Sequence, residues 1–194
     1  MSWAIWITGT PGSGKTTLAR SAAAALEARG IAVKVLELDE IREVITPRPT
    51  YTEAERDVVY RALVYMAKLL VEAGVPVLVD ATGHRRAWRA LARELIPGFA
   101  EVQLRCPLEV CREREQHRRR GHAPPGIYAH SQQPGATVPG VDVPYEVSPE
   151  AELTLDTHEG DPWIRVQEVV YLARRLQRLA PSQESRRRRR LSCR

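Results

Sequence analysis

The octapeptide Gly9-Thr-Pro-Gly-Ser-Gly-Lys-Thr16 constrains this chain more than any other feature. It fits G-x-x-x-x-G-K-[ST], with an apolar run before it at 3–8 and an Ala/Leu-rich stretch after it at 15–29. A buried strand that turns sharply into a helix through such a loop forms a phosphate cradle, the P-loop. Gly9, Gly12 and Gly14 let backbone N–H groups converge on anionic oxygens, and the positive end of the helix dipole adds to the attraction. Thr10, Pro11 and Ser13 complete the loop, and Thr17 extends it into the helix. Lys15 is placed to reach the outer phosphates, and the Thr16 hydroxyl suits Mg²⁺. ATP with Mg²⁺ is the expected occupant, and an α/β sheet is the expected frame.

The rest of the chain alternates as that frame demands. Apolar runs at 33–38, 76–79, 100–105 and 152–155 read as further strands, and 52–73, 85–96, 107–119 and 163–179 as helices. Val59, Leu63, Met66, Leu70 and Ala73 step by four, three, four and three, which predicts a core-facing stripe. Gly30 and Gly74 are natural stops for the first two long helices. The pattern predicts a parallel sheet of about five strands covered by helices on both faces. Residues 121–149 break it, because ten of those 29 are Gly or Pro. An irregular segment of that length is expected to be a functional lid, which with its entering helix runs over about 112–149. The predicted organisation is a P-loop α/β domain over 1–180 and an Arg-rich, disordered tail over 181–194.

Composition removes other classes. With 43% hydrophobic and 27% charged residues, the 194-residue chain can bury roughly 70% of its unfolded surface without staples. No apolar run approaches the ~18 residues of a membrane span. The N-terminus lacks a basic leader, so a cytoplasmic protein is expected. The three cysteines, Cys106, Cys111 and Cys193, form no CxxC pair and read as reduced thiols. The formal charge of +5 lies in the tail, where residues 181–194 carry six arginines against Glu184. The body shows no basic stripe interleaved with aromatics. Neither nucleic acid nor an acidic protein is therefore the expected partner, and the tail reads as solvated.

The cradle supplies a nucleotide site and leaves the reaction open. The NKxD signature of GTPases is absent, and the chain is too short for the machinery of a large ATPase, so a small kinase is favoured. Asp39 follows the second strand and stands three residues before Arg42, on one face of a helical turn. The C-terminal strand ends of a parallel sheet share one crevice, which puts Asp39 near the cradle. A carboxylate there can take the proton of an attacking hydroxyl, and an arginine can hold an anionic acceptor. Asp80 also ends a strand, where an acid can serve Mg²⁺ or act as the base; the two roles stay open between Asp39 and Asp80. His84, on the same rim, is a candidate substrate contact. Arg112, Arg114, Arg118, Arg119 and Arg120 load the helix that enters the lid. Of these, Arg112 and Arg118 are the expected pair on the transferring phosphoryl group.

Taken together these motifs resemble the adenylyl-sulfate (APS) kinases over residues 3–175. The resemblance rests on the cradle, Asp39-x-x-Arg42, Cys106-Pro-Leu-Glu-Val-Cys111, and Gly140-Val-Asp-Val-Pro-Tyr-Glu146 followed by Leu153-Thr-Leu-Asp-Thr157. The last two are similar to the family's GIDDPYE and LDT. The resemblance implies phosphorylation of the 3′-hydroxyl of adenylyl sulfate by Mg-ATP, and commonly a homodimer. It implies Asp39 and Arg42 on the substrate side, and Arg56 on the sulfonucleotide. Val59 departs from a family Asn. Val138-Pro139-Gly140 departs from a run whose Phe stacks on the substrate adenine, and Ala129-His130 departs from a Lys pair. Asp80-Ala-Thr-Gly-His84 stands where the family has a FISP-like segment, and reads like P-loop kinases of small molecules or polynucleotide ends. The ATP half is intact and the acceptor half is rewritten. The expected function is therefore ATP-dependent phosphorylation of a hydroxyl on a small, anionic or nucleotide-like metabolite. The alternatives are a true APS kinase making 3′-phosphoadenylyl sulfate, and a non-catalytic nucleotide-binding module with a basic tail.

Overall fold

The computed structural model describes residues 2–118, 121–131, 133 and 135–179. Its elements run β1 (Ala4–Thr8), α1 (Lys15–Glu27), β2 (Lys34–Glu37), α2 (Leu38–Ile45), α3 (Glu53–Glu72), β3 (Val77–Asp80), α4 (Arg86–Leu95), β4 (Phe99–Arg105), α5 (Leu108–Gln116), β5 (Leu153–Asp156) and α6 (Pro162–Leu179). The five strands form one sheet in the order β2–β3–β1–β4–β5, and each neighbouring pair is parallel. The tail with Cys193, and Arg119 and Arg120, lie outside the described residues.

Alternation along β1 explains why its sequence is apolar throughout. Successive side chains of a strand point to opposite faces. Ile5 and Ile7, after Trp3, join Leu18, Ala22 and Leu26 of α1 and Val166, Val169 and Ala173 of α6 in one core layer. Ala4 and Trp6 join Leu63, Val64 and Ala67 of α3 and Trp88 and Ala92 of α4 in the other. With helices on both faces, every β1 side chain is buried.

The stripe on α3 sits slightly off the predicted line. Val59 and Leu63 are buried as expected, Met66 and Leu70 are half-buried, and Ala73 caps the helix in the open. Tyr60, Val64, Ala67 and Val71 take the buried places instead. The buried face is the predicted one rotated by about one residue, with the same alternation of steps of four and three. Thr52 caps the helix, accepting from Glu55 N at 3.3 Å.

Strand order positions the site. β1 lies between β3 and β4, so chain direction diverges on either side of it, and the crevice opens beyond its C-terminal end. The cradle follows β1, Asp80 closes β3, and Asp39 stands in the first turn of α2, which begins directly after β2. The described part of 117–151 consists of turns, bends and irregular backbone, apart from an isolated bridge between Pro139 and Val143.

Candidate active site

The cradle is braced from three sides. Ser13 N donates to Thr10 O at 3.2 Å, closing the loop on itself. Gly12 adopts φ +77°, and a Cβ there would stand 2.3 Å from the carbonyl oxygen of Cys111 on α5. Only a glycine lets the loop approach that helix so closely. Thr157, just after β5, donates its hydroxyl to Ser13 O at 2.9 Å. Tyr128 of the irregular segment donates to Pro11 O at 2.7 Å.

A cavity of about 700 Å³ opens over this cradle, in the usual range for a small-molecule site. Pro11, Gly12, Gly14, Lys15, Thr16 and Thr17 form its floor. Asp39, Arg42, Arg56, Asp80, Arg114, Arg118 and residues 135–139 line it with them. Gly9, Thr10 and Ser13 shape the loop from behind without lining the cavity.

Electrostatics inside it follow from burial. Lys15 Nζ donates to Thr10 O at 3.0 Å. Loss of solvation lowers its pKa, Asp80 and Asp39 push it back up, and Arg118 adds to the lowering. Asp80 is buried, and desolvation raises its carboxyl to about 6 against the opposing pull of Lys15 and a hydrogen bond with the Thr16 hydroxyl. This pairing of a hydroxyl and a carboxylate offers only hard oxygen ligands, the donor set that Mg²⁺ prefers.

Two of the lining arginines gather around an aromatic ring. Tyr51 holds φ +53°, a left-handed conformation that is costly for a bulky side chain. Its ring lies 5.2 Å from the Arg42 guanidinium and 5.9 Å from that of Arg56. Arg42 is buried and donates to Glu55 Oε1 at 3.0 Å. Arg56 donates through Nε to Tyr51 O at 3.0 Å, and through Nη2 to Thr137 O and Oγ1 at 3.0 and 2.8 Å.

Two residues fall elsewhere. Arg112 does not line the cavity; its guanidinium lies 5.9 Å over the Tyr128 ring. In its place Arg114 lines the wall, donating to Thr157 O at 2.7 Å, with Nη1 4.0 Å from where a Gly14 Cβ would stand. His84 is buried edge-on to Trp88 and lines a smaller cavity of about 290 Å³, next to the main one. Burial lowers its pKa to about 4, and its Nδ1 has no partner among the described residues. Tyr51 and Tyr128 gave no sign in a reading by residue type alone, and Thr157 stood out only as the end of the 153–157 motif. The signal for Arg114 was its spacing of three from Cys111.

Comparison with known proteins agrees with this geometry. A family model described as "Adenylylsulphate kinase" matches residues 1–156. The chain belongs to the adenylylsulphate kinase family. Its members are P-loop kinases, and the chain is an ATP-dependent phosphotransferase of that family, which removes the non-catalytic alternative. It is 38% identical over 164 residues to a probable adenylyl-sulfate kinase of Archaeoglobus fulgidus, covering 83% of this chain and 99% of the relative. It is 36% identical over 155 residues to an adenylyl-sulfate kinase of Synechococcus sp. strain JA-3-3Ab, covering 80% and 84%. The solved Mycobacterium tuberculosis APS kinase in complex with AMPPNP and APS superposes with a TM-score of 0.76 at 30% identity, covering 88% of this chain and 96% of that one. No helix among the described residues is long and apolar enough to cross a membrane.

Proposed function

We propose that this kinase transfers the γ-phosphoryl group of ATP to a hydroxyl of an anionic, nucleotide-like acceptor, with adenylyl sulfate the compound its relatives nominate. The observation that carries the reading is the single cavity in which Lys15 and Thr16 share a space with Asp39, Asp80, Arg42 and Arg56. One end suits the triphosphate, and the other suits an anionic partner beside an aromatic ring.

The two acids divide by their neighbours. Asp80, bonded to the Thr16 hydroxyl, would hold Mg²⁺ with it through oxygen ligands. Mg²⁺ bound there would neutralise charge on the β- and γ-phosphates. Asp39, on the α2 face that also carries Arg42, takes the proton of the acceptor hydroxyl. That oxygen then forms a bond to the γ-phosphorus as the bond to the bridging oxygen breaks, and ADP leaves. Lys15, Arg114 and Arg118 meet the charge that gathers on the transferring oxygens. Arg42 and Arg56 orient the acceptor, and the Tyr51 ring offers a stacking surface between them.

A second reading, a different hydroxyl acceptor, is favoured by two valines. Val59 is buried in the α3–α4 core and lines neither cavity, and Val138 packs with Cys111 and Tyr128. The polar and aromatic groups that the family offers to its substrate at these positions are therefore missing. The test is ADP release from Mg-ATP with adenylyl sulfate, beside a panel of nucleotides, sugars and amino alcohols, with Lys15→Ala as blank. Saturable turnover of adenylyl sulfate at low micromolar levels supports the first reading. Turnover of another acceptor, with none of adenylyl sulfate, supports the second. A chain inactive on every acceptor refutes both.

A further inference from the structure

A buried arginine that touches neither cavity ties the irregular segment to the strand end bearing Asp80. Arg89, on α4, is 1% exposed. Its Nε donates to Glu101 Oε1 of β4 at 2.8 Å, Nη1 donates to the Gly83 carbonyl, and Nη2 donates to the Glu146 carbonyl. Its guanidinium also lies 5.5 Å over the ring of Tyr145. Further bonds join the same stretches. Glu146 N donates to His84 O at 2.8 Å, and Arg86 N donates to Glu146 Oε2 at 2.6 Å. The Tyr145 hydroxyl pairs with Thr8 Oγ1 at 2.9 Å, and Thr8 Oγ1 donates to Thr82 O at 2.6 Å.

Both ends of this clamp lead to the reaction site by short, stiff paths. From Gly83 the chain reaches Asp80 in three residues. From Glu146 it runs back into a tight turn, where Gly140 N donates to Val143 O at 2.8 Å and Val138 N donates to Asp142 Oδ2 at 2.8 Å. That turn presents Thr137, Val138 and Pro139 to the main cavity.

We propose that Arg89 is a positioning residue for phosphoryl transfer. By spanning the Gly83 and Glu146 carbonyls, it fixes the separation across the cavity between Asp80 and the wall at 137–139. A guanidinium suits this task, because its planar fork serves three acceptors at once, whereas an ammonium is a single point of charge. Glu101 balances the buried charge, so the clamp stands without a net ion in the core. The Tyr145-Glu146 end of the 140–146 motif thereby acts as the anchor of the covering wall.

The test is Arg89→Lys, which keeps a cation beside Glu101 and loses the fork. The expected result is kcat down by roughly ten- to a hundred-fold, as for an ångström-scale misplacement. Affinity for a fluorescent ATP analogue should stay within about twofold, since no cradle contact is touched. Amide hydrogen exchange should accelerate in 81–86 and 137–146, and stay unchanged in 9–17. Wild-type kcat with wild-type exchange in both stretches overturns the proposal. So does a loss of protection spread evenly over the molecule, the signature of a residue that only holds the fold. If Arg89→Lys does not fold, the Arg89→Met/Glu101→Met pair removes both charges at similar volume and is judged by the same exchange pattern. Exchange and nucleotide binding need no acceptor, so the outcome stands whichever hydroxyl compound is phosphorylated.

Discussion

Replacing Gly12 by alanine probes the contact on which the nucleotide site depends. The new Cβ would stand 2.3 Å from Cys111 O, 2.9 Å from its carbonyl carbon and 3.0 Å from its Cα. The first of these is 0.7 Å inside the 3.0 Å that real Cβ atoms keep, and all three atoms are backbone that no rotamer change can move. Two costs add. Placing a Cβ at positive φ costs about 1–2 kcal/mol, and overpacking against fixed atoms costs about 1–3 kcal/mol. The sum, about 2–5 kcal/mol, should lower Tm by roughly 5–15 °C in a domain of this size. Gly30 supplies the control. Its φ is +74°, and nothing lies within 4 Å of its virtual Cβ, so Gly30→Ala carries the backbone cost alone. Part of that cost is offset by the stiffer unfolded chain, leaving about 1 kcal/mol. Thermal melts and titration with a fluorescent ATP analogue read both variants. Gly12→Ala should melt well below Gly30→Ala and bind ATP at least tenfold more weakly, whereas Gly30→Ala should bind normally. Equal melting points with undiminished ATP binding in Gly12→Ala would refute the reasoning, because α5 would then not be pressed against the cradle.

Lys15→Ala should abolish turnover while leaving far-ultraviolet circular dichroism and the melting transition intact, because the side chain serves the ligand rather than the core. Arg114→Ala and Arg118→Ala should each lower kcat by roughly a hundredfold, the scale of a lost charge-stabilising donor, whereas Arg112→Ala should cost less than about threefold; steady-state kinetics on all three variants decide it. Asp80 carries a pH prediction for the ligand-free protein. Its folded-state carboxyl sits at about 6, above its ordinary value, so its contribution to stability is present below about pH 4 and lost as pH rises through 6. Asp80→Asn should flatten that part of a Tm-against-pH curve. Activity should run the opposite way, with an acidic limb near pH 6 in kcat/KM as the carboxylate forms.

The frame was legible because its signals are local. A strand, a glycine-rich turn and a helix follow one another within 27 residues, and the strand–helix alternation sets a parallel sheet with few alternatives. Asp39 and Arg42 were equally readable, since three residues on a helical turn put them on one face, and both line the cavity. The arginines of α5 were only half readable. Cys111 is buried, so the positions three, four and seven residues on (Arg114, Glu115 and Arg118) share its inward face, and all three line the cavity. Arg112 is turned away by about 100°, which residue type alone does not register. Tyr51 and Tyr128 were illegible for another reason. Tyr51 acts through a backbone conformation, and Tyr128 through a hydrogen bond to a carbonyl 117 positions away, which exists only once the sheet has formed.

Three of the motifs that tie the chain to its family share a structural task. The backbone of Cys111 presses on Gly12, Thr157 holds Ser13 O, and Tyr145 with Glu146 closes the clamp on Arg89. Cys111, Thr157, Tyr145 and Glu146 brace the cradle or anchor the covering wall without lining the main cavity, whereas Asp39 and Arg42 of the remaining motif line it. Resemblance carried by these four residues therefore speaks to the fold and the bracing of the cradle. Under the proposed function, choice of acceptor falls to side chains that a substrate can touch or that shape its walls: Tyr51, Arg56 and Thr137–Pro139, with Val59 and His84 behind them. Several of those positions are the ones that differ from the family pattern. The two sets are nevertheless tied by hydrogen bonds, since Glu146 N donates to His84 O at 2.8 Å and Val138 N donates to Asp142 Oδ2 at 2.8 Å, so a change at His84 or Val138 also loads the 140–146 motif.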